Sequence, residues 1–124
     1  MLLAPVTALA GEALLAVATN FGEAAERLAA DFAARGAHRI TLATGSTGKL
    51  YAQIRNGAPF DALLAADAER PALLEASGHG VPGTRFVYAA GLLTLWSPDA
   101  RRIGGDGRAV LARGEFAALA IANP

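Results

Sequence analysis

The chain has 124 residues, 53% of them hydrophobic, which suits about one globular domain and excludes a disordered chain. Eleven Lys and Arg residues balance eleven Asp and Glu residues, which argues against nucleic acid as a main partner. The absence of cysteine excludes disulfides and thiolate metal sites, and no apolar run approaches the roughly 18 residues of a membrane span.

Residues 1–10 end like a secretory signal peptide. A short apolar run is followed by Ala8-Leu9-Ala10, a small-x-small pattern before Gly11. The basic segment that opens a signal peptide is missing, so an ordinary apolar N-terminus is the alternative. On the first interpretation, residues 1–10 are the remnant of a signal peptide whose start lies upstream of Met1, and the mature chain begins near Gly11 outside the cytoplasm.

Short apolar runs and helical patterns alternate through the first 76 residues. The apolar runs predict three buried strands, at residues 14–18, 39–44 and 60–66. The intervening and following segments predict three helices, at residues 21–36, 47–55 and 69–76. The first helix carries an apolar stripe, made of Ala24, Leu28 and Phe32 and widened by Ala25 and Ala29.

The remaining residues predict a turn, one or two further strands, a polar loop, two short helical pieces and the start of a last strand. The turn lies at residues 81–85, the one or two strands at 86–97 (broken near Gly91) and the polar loop at 98–108. The helical pieces lie at 109–113 and 115–118, and the last strand begins within 119–124. The order β-α-β-α-β-α-β with nearly continuous apolar strands predicts an α/β fold with a mostly parallel sheet and helices on both faces. Ligands of such sheets bind at the carboxyl ends of the strands, where the strand order switches.

A cluster of small and hydroxyl residues, Gly45-Ser46-Thr47-Gly48-Lys49, stands where the second strand meets the second helix. A nucleotide-binding phosphate loop would require the pattern G-x-x-x-x-G-K-[ST]. Ala43 occupies the place of its first glycine, and Leu50 that of its magnesium-binding hydroxyl. The pattern therefore argues against an enzyme with a phosphate-handling loop, which remains the rival from another class of protein.

An anion cradle made of neutral donors fits this cluster better. The free N–H groups and the dipole of a helix N-terminus favour an anion, and the hydroxyls of Ser46 and Thr47 add donors. Plain N-capping by either residue would explain this cluster alone. A second cluster, Ala18-Thr19-Asn20, ends the first strand, and neighbouring parallel strands bring both corners to one edge of the sheet. The two clusters together suit a small ion with many acceptor oxygens.

Four segments, in this order, resemble the periplasmic molybdate-binding proteins of bacterial ABC transporters. They are "VATNFGEAAERLAADF", "TGSTGKLYAQIRNGAPFDALLAAD", "VPGTRFVYAAGLLTLWS" and "LAIANP", and the likeness runs from about residue 14 to Pro124. The resemblance implies a type II periplasmic-binding-protein fold, in which two α/β lobes close over molybdate or tungstate. It also implies that hydroxyl and backbone N–H groups hold the ion, without Arg or Lys.

The family's ligand contacts carry over onto two places in this chain. In the first corner they fall on Asn20, with Thr19 and Ala18 beside it. In the second they fall on Ser46 or Thr47, and which of the two makes the main contact stays open. No cation is bound directly, because molybdenum enters only as its oxyanion through these same residues, and no cofactor is implied.

The resemblance further implies a bacterial extracytoplasmic protein, monomeric when complete, that delivers its ion to a membrane permease and catalyses nothing. The family's chain is considerably longer than this one, so residues 11–124 are expected to form the first lobe, with the second lobe missing. The alternatives are binding of another oxyanion, such as sulfate or phosphate, and a fragment without independent function. Near an anion the carboxylates of Asp61 and Asp67 would be repulsive, so both are interpreted as structural, Asp67 as a helix cap.

Overall fold

The computed structural model describes residues 11–36 and 38–121. They divide into two compact units, the first ending at Phe86 and the second beginning at Val87. The signal-peptide interpretation of residues 1–10 and the end of the strand predicted at 119–124 lie outside the described residues. Within the described ranges, no helix is both long and apolar enough to cross a bilayer.

The first unit alternates strands and helices as predicted. Its strands are β1 (Glu12–Ala18), β2 (Arg39–Gly45) and β3 (Ala62–Leu64). Its helices are α1 (Gly22–Ala34), α2 (Thr47–Arg55) and α3 (Glu69–Ala76), and a 3-10 turn at Thr19–Phe21 joins β1 to α1. Both α2 and α3 have the predicted bounds, whereas β3 is shorter than predicted.

The three strands form a parallel sheet in the order β2-β1-β3. The chain crosses from β1 to β2 in one direction along the sheet and from β2 to β3 in the other. Because such crossovers are right-handed, they place α1 and α2 on opposite faces of the sheet. A β-carbon built at Gly22 of α1 would lie 3.6 Å from the Thr44 methyl, and one built at Gly45 would lie 3.4 Å from Leu50 of α2. Because Thr44 and Gly45 are successive strand residues, they face opposite sides. The predicted α/β class, with helices on both faces of a parallel sheet, is confirmed.

The core of this unit lies around the end of β1, the strand with a neighbour on each side. Its buried apolar residues are Ala16, Val17 and Ala18 of β1, Ala25 of α1, Leu50 of α2 and Leu74 of α3. The stripe predicted for α1 is displaced, since Ala25 is buried and Ala24 is exposed. Leu28 and Phe32 remain 60% and 47% exposed, on the rim of an apolar cleft of about 370 Å³ between α1 and the sheet.

Asp61 extends the pairing of β1 with β3 by one residue. Its backbone N–H donates to the Leu14 carbonyl over 2.9 Å, and its carboxylate Oδ2 accepts from the Leu14 N–H over 2.7 Å. The structural interpretation of Asp61 is therefore confirmed, because both bonds hold the start of β3 against β1.

The second unit has less regular structure than predicted. It contains a 3-10 turn at Ala100–Arg102 and one helix, α4 (Gly107–Arg113), among residues 87–121. The Asp106 carboxylate caps α4 by accepting from the N–H groups of Arg108 and Ala109 over 2.9 and 3.2 Å. Gly114 ends the helix in the left-handed region with φ of 66°, and the prediction of a helix at 109–113 is confirmed.

The strands predicted over residues 86–97 are wrong. This stretch has no regular structure, and Leu92 and Leu93 are 98% and 99% exposed. Apolar β-forming residues favour a strand, but a strand also needs a neighbouring strand to pair with. In the described part of the chain the sheet consists of β2, β1 and β3, and residues 86–97 pair with none of them. The helical piece predicted at 115–118 and a strand over residues 119–121 are absent as well.

Candidate functional site

The first donor corner follows the end of β1. Ala18 is almost completely buried, and the chain then turns directly into a 3-10 turn without a side-chain cap. Thr19 and Asn20 are exposed, and within the described ranges neither side chain makes a hydrogen bond. Their hydroxyl and amide groups therefore remain available to a ligand.

The second donor corner follows β2. Ser46 alone separates β2 from α2, a connection too short to wrap a triphosphate chain. Ser46 is the N-cap of α2, and its hydroxyl oxygen accepts from the Lys49 N–H over 3.3 Å. Its own O–H is left to donate, and the N–H groups of Thr47 and Gly48, in the first helical turn, have no acceptor within the helix.

Thr47 differs from Ser46 in burial. Ser46 is exposed, whereas Thr47 is 0% exposed and is a buried polar residue within this core. The Thr47 hydroxyl oxygen accepts from the Ala66 N–H over 3.1 Å, which joins the start of α2 to the chain leaving β3. The side chain of Thr47 thus faces the protein interior, and that of Ser46 faces solvent.

The sheet register brings the two corners together. Ala18 at the end of β1 is the pairing partner of Gly45 at the end of β2, and paired parallel strands lie about 4.8 Å apart. The residues that follow, Thr19 and Asn20 on one strand and Ser46 on the other, therefore leave the same edge of the sheet. The connection after β1 leads to α1 on one face of the sheet, and the connection after β2 leads to α2 on the other. In α/β sheets, ligands usually bind at the strand ends where two connections separate in this way.

A third segment, after β3, closes against the second corner. The Asp67 carboxylate accepts from the backbone N–H of Arg70 over 2.8 Å and from its guanidinium Nη1 over 2.7 Å. The Asp67 side chain thus satisfies an N–H of the first turn of α3, as predicted for a cap, although the N-cap position itself is Ala68, which makes no side-chain capping bond. A β-carbon built at Gly48 would lie 3.6 Å from Nε and Nη2 of Arg70, so the guanidinium stands beside the first turn of α2.

Burial opposes ionisation of Asp67, but the hydrogen bonds from Arg70 outweigh it and hold the pKa of this carboxyl below its ordinary value. Sequence reasoning missed Arg70. The only signal for it was the i, i+3 spacing of Asp67 and Arg70 at the start of a helix, a spacing that favours an ion pair but does not reveal the contact with Gly48.

The two donor corners offer hydrogen-bond donors. The Ser46 hydroxyl is bonded to a backbone N–H, not to a base that would activate it. Elsewhere, His38 accepts from the Gly11 N–H over 3.1 Å and stacks on Phe32, and His79 lies 3.0 Å from the Ser77 hydroxyl. Over the residues that the structure describes, no three His, Cys, Asp or Glu side chains gather as metal ligands would.

The chain is similar in sequence to two molybdate-binding proteins. The chain is 43% identical over 117 residues to the molybdate-binding protein ModA of Rhodobacter capsulatus, and 44% identical over 115 residues to that of Azotobacter vinelandii. These matches cover 94% and 93% of this chain but only 46% and 45% of the relatives. The chain therefore spans about half the length of the curated relatives it matches.

The fold has a counterpart among solved structures. The periplasmic molybdate-binding protein of Azotobacter vinelandii superposes with a TM-score of 0.60 and 41% sequence identity, over 61% of this chain and 33% of the other. The sequence profile of the family described as bacterial extracellular solute-binding protein matches residues 13–124. The chain thus belongs to the family of bacterial extracellular solute-binding proteins.

Proposed function

We propose that this chain supplies the first lobe of a protein that binds molybdate or tungstate for uptake by an ABC transporter. One observation carries the proposal, the register that pairs Ala18 with Gly45 and so sets two neutral donor corners side by side. The relatives named as molybdate-binding proteins support the choice of ion. The donor groups on this edge are hydroxyls, an amide and backbone N–H groups, which suit an oxyanion with many acceptor oxygens.

We propose that the first corner binds the ion through the side chains of Thr19 and Asn20, with the backbone of Ala18 beside them. In the second corner we propose that the Ser46 hydroxyl makes the side-chain contact, because it is exposed while that of Thr47 is buried. Thr47 would contribute its backbone N–H, as would Gly48. Burial therefore supports Ser46 over Thr47 as the side-chain contact.

Size would select the ion. Two strand ends and a helix start hold the donors at fixed positions, which fit an ion of one radius. A smaller tetrahedral ion such as sulfate would leave some of these donors without a hydrogen-bond partner. The other wall of the site would come from a second lobe. The complete protein would be an extracytoplasmic monomer that hands its ion to a membrane permease and catalyses no reaction.

Calorimetric titration of the full-length protein with molybdate, tungstate, sulfate and phosphate tests the proposal. We expect molybdate and tungstate to bind far more tightly than the other two. Asn20→Ala and Ser46→Ala should each weaken molybdate binding by about 1–3 kcal/mol, the cost of an unmet buried partner. Gln53→Ala, at an exposed amide on the same helix as the second corner, is the matched control and should leave affinity unchanged.

Sulfate binding as tightly as molybdate would refute the size argument and favour the alternative of another oxyanion. Unchanged molybdate affinity in both Asn20→Ala and Ser46→Ala would place the site elsewhere. Titration of the present chain alone then measures how much of the affinity the first lobe carries.

A further inference from the structure

We propose that Asp67 and Arg70 form a charge-balancing pair for the oxyanion crevice. Arg70 places a cation beside the second donor corner, and Asp67 cancels it, so that binding depends on donor geometry and not on net charge. The inference rests on the proposed function and adds two residues to that site, neither of which touches the ion.

The pair is held firmly. The guanidinium Nη1 of Arg70 lies 2.7 Å from Asp67 Oδ2, and the same carboxylate caps α3 through the Arg70 N–H. The side chains are only 32% and 19% exposed, so water screens them less than it screens a surface ion pair. An aspartate is ionised at neutral pH at its ordinary pKa, and the hydrogen bonds from Arg70 lower the pKa of Asp67 further.

The pair also lies close enough to the second donor corner for its charges to affect anion binding there. The guanidinium lies beside Gly48, where an added β-carbon would be 3.6 Å from Nε and Nη2, and the Gly48 N–H is one of the donors proposed for the ion. The N-terminus of α2 already favours an anion through its dipole, and an unbalanced guanidinium there would add a full charge. Thr47 fixes this geometry, because its bond to the Ala66 N–H ties α2 to the residue just before Asp67.

Two other charged side chains stand near this corner, Lys49 on α2 and Glu69 on α3. Both are exposed to solvent, where a charge is largely screened. Lys49 is therefore a useful comparison for Arg70, since it carries the same charge on the helix that forms the corner but is not held against Gly48.

The inference predicts opposite effects for the two members of the pair. Removing the carboxylate leaves the guanidinium uncompensated and should tighten binding of every dianion. Removing the guanidinium leaves the carboxylate and should weaken binding of every dianion. The electric field of a nearby charge acts on the charge of the bound ion and not on its radius. Since molybdate and sulfate are both dianions, the ratio of their affinities should stay constant. Damage to the donor geometry would instead weaken binding in both variants and change that ratio.

The test measures dissociation constants of the full-length protein for molybdate, and for sulfate by competition, at low and high sodium chloride. The variants are Asp67→Asn, Arg70→Gln, the double variant and Lys49→Gln. We expect Asp67→Asn to bind both ions about tenfold more tightly at low salt and Arg70→Gln about tenfold more weakly, with both effects shrinking at high salt. The double variant and Lys49→Gln should match the wild type.

The outcomes separate this inference from the proposed function. Failure of the wild type to bind molybdate overturns both. If the wild type binds and the two single variants shift affinity in the same direction, or change the molybdate to sulfate ratio, the inference is overturned and the proposed function stands. Asn is nearly as good an N-cap as Asp, so Asp67→Asn should fold. If it does not, the sign and salt dependence of Arg70→Gln decide the question.

Discussion

The two donor corners are built differently although they lie on the same edge of the sheet. Thr19 and Asn20 stand exposed after β1, and their side chains make no hydrogen bond within the described part of the chain. Around Ser46, the second corner is joined to the core through buried Thr47 and to α3 through Arg70. Changes at the first corner should therefore affect binding alone, whereas changes at the second should affect binding and stability together.

Thr47→Val should have the largest effect on stability. Valine keeps the shape of the side chain but removes the hydroxyl, which leaves the Ala66 N–H without its partner. We expect a loss of about 1–3 kcal/mol in the free energy of unfolding, measured by urea denaturation. Thr47→Ser keeps the hydroxyl and is the matched control. A Thr47→Val protein as stable as the wild type would show that this bond does not hold the second corner.

Asp67→Asn should cost less, about 1 kcal/mol at neutral pH, because the Asn side-chain oxygen can still accept from the Arg70 N–H while the bonds to a charged acceptor are lost. The pKa of Asp67 is lowered in the folded state. Its stabilisation is thus fully present above the unfolded value of about 3.9 and is lost as pH falls through the folded value.

The measurement for Asp67 is urea denaturation of both proteins from neutral to acid pH. The difference between wild type and Asp67→Asn should shrink as the solution is acidified. A difference that stays constant with pH would mean that the ionised carboxylate does not contribute. Glu23→Gln serves as the control, because its ion pair with Arg27 is about 80% exposed and should contribute little at any pH.

Asn20→Ala should have the smallest effect on stability, within about 0.5 kcal/mol of the wild type, because its side chain is exposed and unbonded. The same variant is expected to lose molybdate affinity, as set out for the proposed function. Thermal unfolding without ligand and calorimetry with ligand together check this separation. A large drop in unfolding temperature without ligand would remove the difference between the two corners.

The elements of the first unit could be predicted because local signals and tertiary packing agree there. Ser46 caps the start of α2, Gly57 follows its last turn in the left-handed region with φ of 84°, and short continuous apolar runs give the strands. The sequence could not separate Ser46 from Thr47, since adjacent hydroxyl residues at a helix start are equivalent until the direction of burial is known. It also could not place Arg70, whose guanidinium lies beside Gly48 of the neighbouring helix.

The second unit shows the opposite case. Residues 86–97 have strong strand propensity, yet they remain without regular structure and almost fully exposed at Leu92 and Leu93. Propensity describes what a segment favours when a neighbour is present. The sequence of one segment does not say whether a partner strand lies beside it, and so it could not predict that this stretch would form no strand. The helix α4 was predictable because its hydrogen bonds and its Asp106 cap are local.

The strand order has a consequence for how the sheet assembles. β2 and β3 follow each other in sequence but do not pair, and each is hydrogen-bonded to β1. Pairing β1 with β2 joins residues 27 apart, as between Glu12 and Arg39, whereas pairing β1 with β3 joins residues 47 apart, as between Leu15 and Ala62. The shorter loop costs less chain entropy to close, so the two donor corners should come together before β3 and α3 arrive. During synthesis, the edge proposed to bind the ion would form before the proposed charge-balancing pair of Asp67 and Arg70 joins it.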